Sequence, residues 1–144
     1  MEPLAARAAI ADLIHTYARN IRAGRGADCV QLFTADAVFE VRQAPLGNSD
    51  AVLTRAKIAG HEALSNYLVG ATGDARVCPL IHNLLIEVDG REALSNCVMT
   101  SLVWPSGQQL MGEYQDSFRF ETRTGWRFSS RVFTIFSDLP ARQR

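Results

Sequence analysis

Two hydrophobic periods divide the chain. Ile10, Leu13, Ile14, Tyr17 and Ile21 recur at three- and four-residue spacing, which predicts an amphipathic helix over about 4–23 that stops at Gly24 or Gly26. A short second helix is expected from Asp28 to Phe33, a strand at Val38 to Val41, and a brief strand from Arg55 to Ile58. Between those strands, Gln43 to Leu53 carries Pro45, Gly47, Asn48 and Asp50, turn formers that suggest a mobile loop gating a pocket. Ala63, Leu64, Tyr67 and Leu68 mark the stripe of a third helix ending near Gly70 or Gly73.

From Val77 the period falls to two. Strands are predicted over about 79–88, 92–104, 110–121 and 126–136, with turns at Asp89-Gly90, Pro105-Ser106-Gly107 and Thr124-Gly125. In the last hairpin, Tyr114, Asp116, Phe118 and Phe120 share one face. An acid on such a face must be paired, open to a cavity or protonated. Three helices followed by four long strands describe an α+β class, a cone-shaped roll whose curved, mainly antiparallel sheet wraps the helices. Space left between helix one and the sheet would be a pocket. The tail LPARQR is expected to be disordered.

Composition narrows the function classes. With 144 residues, 47% of them apolar, the chain is expected to be a single domain over 1–144. Fifteen basic residues balance fifteen acidic ones, so no net field draws nucleic acid or anionic lipid, and neither is an expected partner. Cys29, Cys78 and Cys97 lack metal-ligand spacing and read as small buried hydrophobes in a reducing compartment. No leader or membrane-length apolar run is visible, which gives a cytoplasmic expectation. Phosphate loops, dinucleotide fingerprints, nucleophile elbows and metal clusters are also missing, so no cofactor and no metal are expected.

The ordered segments LFTADAVFE (32–40), AGHEALSNYL (59–68), HNLLIEVDGREA (82–93), GEYQDSF (112–118) and WRFSSR (126–131), preceded by a helix with Tyr17, resemble the SnoaL-like domains of the nuclear transport factor two-like superfamily. The resemblance implies a cone-shaped α+β roll, often dimeric through the outer face of its sheet. It also implies relatives of several kinds: polyketide cyclases, scytalone dehydratase-like enzymes and small subunits of ring-hydroxylating dioxygenases. The enzymes it brings to mind carry an acid five residues after the helix-one tyrosine and a histidine three or four residues before the strand asparagine. Here those positions hold Arg22 and Pro79 or Leu80, so neither role carries over.

His82 is then the candidate base, since alternation puts Leu80, His82, Leu84 and Ile86 on one face. A core histidine satisfied by a backbone partner is the competing reading; His15 and His61 look like surface residues. Tyr17 and Tyr114 are candidate donors to a ligand oxygen, or packing residues with capped hydroxyls. Asp116 is a candidate acid whose pKa burial would raise and Arg22 or Arg131 would lower. Arg22, if inward, would favour an anionic ligand or pair with Asp116; otherwise it faces solvent. Phe33, Phe39, Leu80, Leu84, Met99 and Phe118 are the expected apolar lining.

Three functions follow. One is a cofactor-independent lyase or isomerase acting on an aromatic, polyketide-like or terpenoid molecule, with His82 as base and Tyr17, Tyr114 or Asp116 as donors. The second is a binding domain for a small hydrophobic or aromatic molecule. The third is an assembly subunit resembling the small subunit of ring-hydroxylating dioxygenases. Leu94, Val98, Leu102 and Trp104 make one strand face too apolar for water, which predicts a homodimer.

Overall fold

The structure is a computed structural model that describes residues 2–47, 51–72 and 74–137, with the side chains of 71 and 72 left aside. Helix α1 spans Pro3–Arg22, and Pro3 at its first position needs no amide partner there. Beyond Ala23 the chain turns at Gly24, whose φ of 73° lies in the left-handed region that side chains disfavour. A 3₁₀ segment, Gly26–Leu32, leads into β1 (Phe33–Ala44). Strand β2 (Leu53–Ala59) and helix α2 (His61–Thr72) follow, and then the long strands β3 (Arg76–Asp89), β4 (Glu92–Trp104), β5 (Gln109–Glu121) and β6 (Gly125–Phe136).

The strands form one open, curved sheet in the order β2-β1-β6-β5-β4-β3. Every neighbouring pair is antiparallel except β1 with β6, which run parallel and join the early hairpin to the later meander. The helices pack on the inner face. The predicted stripe of α1 is buried there together with Phe33, Phe39, Phe118 and Phe128. The α+β class thus stands, and β1 is far longer than the four residues expected of it.

Two bulges decide which side chains reach that inner face. In β3 the register passes from His82 opposite Val98 to Leu85 opposite Asn96, so Asn83 and Leu84 together face a single residue of β4. Asn83 has φ 53°, a conformation that asparagine tolerates better than most residues. Val77, Pro79 and Ile81 lie inward before the bulge, and Leu84, Ile86 and Val88 after it. The second bulge is in β6. Phe118 faces Phe128 while Ser117 faces Ser130, which leaves Ser129 as the extra residue and turns Arg131 inward.

The expected gate is arranged differently. Gln43 and Ala44 belong to β1, and Gln43 is held by Arg55 and by Ser137. Pro45, Leu46, Gly47 and Val52 border a depression on the outer face of the sheet, away from the helices. Asn48 to Asp50 and the LPARQR tail lie outside the described residues.

Candidate ligand cavity

A cavity of about 170 Å³ opens between α1, α2 and the inner face of the sheet. Tyr17 and Ile21 come from α1, Phe39 and Val41 from β1, Tyr67 and Leu68 from α2. Met99, Tyr114 and Phe133 close it from β4, β5 and β6. All three tyrosines of the chain therefore border one space. Among the described residues, no Asp, Glu, His, Lys or Arg side chain lines it.

Beneath that wall lies an ion pair. Asp116 on β5 and Arg131 on β6 are cross-strand neighbours, and both side chains are fully buried. Arg131 donates through Nε to Asp116 Oδ1 at 2.9 Å and through Nη2 to Oδ2 at 3.3 Å, the forked geometry that suits a carboxylate. Ser95 adds a long hydrogen bond of 3.5 Å to Oδ2. Burial pushes the Asp116 pKa above the ordinary carboxylate range, and the guanidinium opposes that rise. The guanidinium carbon sits 3.5 Å from the Tyr114 ring centroid, 4.3 Å from Tyr17 and 4.8 Å from Phe128. Three aromatic faces thus surround a buried cation. Burial pushes the Tyr114 phenol up to about 12 and raises that of Tyr17 as well, so both remain protonated donors near neutrality.

Several expected site residues are brought together: Tyr17, Tyr114, Phe39 and Met99 border the cavity, and Asp116 lies behind it. Others are elsewhere. Phe33 and Phe118 are core residues, and Leu84 is half-buried against the core. Leu80 is 61% exposed on the outer face. His82, the expected base, is exposed on that same outer face, with Nε2 2.8 Å from the Thr100 hydroxyl. The Asn83 bulge is the reason: alternation holds from Val77 to His82 and inverts at Leu84. Arg22 is exposed at the end of α1, and the partner of Asp116 is Arg131. His61 is half-buried, with Nε2 2.9 Å from the Phe33 carbonyl oxygen. Tyr67, Ile21 and Phe133 were not among the expected lining; Tyr67 was legible only as part of a helical stripe.

The SnoaL-like domain family matches residues 2–132, and the chain belongs to that family. Similar folds occur in a protein from Novosphingobium aromaticivorans provisionally named the beta subunit of an aromatic-ring-hydroxylating dioxygenase (19% identity over 96% of this chain and 94% of that one, TM-score 0.77). A variant of Rv3472, a protein of unknown function from Mycobacterium tuberculosis, is 26% identical over 88% of this chain and 73% of its own, TM-score 0.69. A nuclear transport factor two-like protein with a cystatin-like fold, again from Novosphingobium aromaticivorans, is 21% identical over 92% and 82%, TM-score 0.71. No curated protein matches the sequence. Among the described residues, no helix is long and apolar enough to cross a membrane, and no three His, Cys, Asp or Glu converge as metal ligands.

Proposed function

We propose that this SnoaL-like domain binds a small aromatic or hydrophobic molecule in the tyrosine-lined cavity and does not turn it over. One observation carries the reading: the cavity is apolar, walled by three tyrosines and, among the described residues, bordered by no group that exchanges protons near neutrality. A general acid or base works best with a pKa near the operating pH, and a Tyr114 phenol at about 12 is far from it. The size points to a single ring, since a dry apolar cavity of about 150 Å³ accommodates benzene. Thermal unfolding with toluene or acetophenone tests this. A melting temperature that rises saturably with ligand, while the ligand is recovered unchanged, is expected. Conversion of the ligand would restore the lyase or isomerase reading, and no shift with any single-ring compound would remove the cavity as a binding site.

A second reading concerns the outer face. Leu80, Leu85, Leu94, Leu102, Trp104 and Met111 are exposed there, from three adjacent strands. An apolar patch of this kind favours association, and a homodimer through this face is the form we propose. The dioxygenase-subunit neighbour shares the fold, so association with a larger subunit is the alternative use of the same surface.

A further inference from the structure

Arg131 raises a question that packing alone does not answer. A buried ion pair is no better for stability than well-packed apolar residues of similar volume, and often worse. Here the pair occupies the inner face, fully buried, with Arg131 Nη1 lacking a hydrogen-bond partner among the described residues. Two of the three rings stacked on the guanidinium, Tyr17 and Tyr114, are cavity walls. Those rings meet edge to face at a centroid distance of 6.2 Å, so a single cation fixes both.

We propose that the buried Asp116–Arg131 pair is a positioning element of the cavity: it holds the Tyr17 and Tyr114 phenols as hydrogen-bond donors and so selects single-ring ligands that present an accepting oxygen. This rests on the binding reading above. Asp116 holds Nε and Nη2, which fixes the plane of the guanidinium, and that plane fixes the two rings. A cation against a ring face draws electron density from the ring and makes its O–H a stronger donor. Burial leads the rise of both phenols, and no side-chain hydrogen-bond partner is among its causes. A ligand carbonyl or phenolate oxygen would accept from either. A ligand amine, by contrast, finds only phenol oxygens backed by a positive charge.

Three probes of one ring each separate the possibilities: acetophenone offers an acceptor, toluene neither donor nor acceptor, and benzylamine a cation. Calorimetric affinities are measured on the parent chain, on Tyr114→Phe and on the double variant Asp116→Leu/Arg131→Met. The parent should prefer acetophenone to toluene by roughly 3- to 10-fold, the ratio that one net hydrogen bond provides, and should bind benzylamine worst. That ratio should shrink in Tyr114→Phe and fall towards unity in the double variant. An unchanged ratio in the double variant overturns the proposal. So does equal affinity for acetophenone and toluene in the parent, an outcome that needs no variant to fold and leaves the cavity a binding site. Failure of all three probes to bind the parent removes the binding reading itself, and the proposal with it.

Discussion

Arg131 and Asp116 are safe only as a pair. Replacing Arg131 alone by Met strands a buried carboxylate, and the expected loss is about 3–5 kcal/mol in denaturant unfolding. The double replacement Asp116→Leu/Arg131→Met should recover most of that loss, because apolar groups need no partner. Equal losses in the single and double variants would mean the ion pair has no special role in stability. The buried thiols and phenols give a pH prediction. Burial pushes Cys97 up to about 11 and Cys29 and Tyr114 up to about 12. In the unfolded chain these groups ionise earlier, thiols near about 8.5 and phenols near about 10. The folded state therefore keeps protons that the unfolded state releases, so their stabilisation is complete below about pH 8.5 and is lost as pH rises towards 11–12. Melting temperatures measured from pH 7 to 11 should fall progressively above that point. By the same logic a thiol reagent at pH 8 should modify Cys78, which is only half-buried, and reach Cys29 and Cys97 only after unfolding. Sequence alone could say that Asp116 needed a partner and offer Arg22 or Arg131; the structure selects Arg131, which the Ser129 bulge turns inward.

Among the elements, the strands show where sequence reading stops. The stripe of α1 and the inward set Tyr114, Asp116 and Phe118 were legible because unbroken periodicity forces one face into the core. His82 was misplaced because one extra residue in β3 inverts every side chain on one side of it. Nothing in HNLL distinguishes a bulge from a continuous strand except an asparagine that accepts a positive φ. Asn83→Gly should therefore be neutral or stabilising, and Asn83→Val should cost about 1–2 kcal/mol, both read by chemical denaturation. The opposite order would mean the bulge is not where we place it. Gly112 is the complementary case. A side chain there would collide with the Thr134 carbonyl oxygen of β6 and crowd the Phe133 ring. Gly112→Ala should destabilise by about 1–3 kcal/mol, and it should loosen the β5–β6 hairpin that carries Tyr114, Asp116 and Arg131.

At the level of the whole molecule, the curved sheet separates two surfaces with different chemistry. Its inner face holds the cavity and the buried pair; its outer face presents exposed leucines and Trp104. If the outer face joins two copies, sedimentation at micromolar concentration should show a dimer, and Leu94→Glu with Leu102→Glu should produce a folded monomer. A monomeric parent chain would count against that arrangement. The family resemblance was readable from ordered motifs, but a ligand site depends on which face each side chain reaches, and two bulges set that for His82 and Arg131. We place the proposed ligand site inside the curve of the sheet, at the three tyrosines and not at His82. The most direct test is an NMR titration of selectively labelled tyrosine and histidine with acetophenone. The ring signals of Tyr17, Tyr67 and Tyr114 should shift together and saturably while His82 stays unmoved. A shift at His82 with the three tyrosines unchanged would contradict that placement.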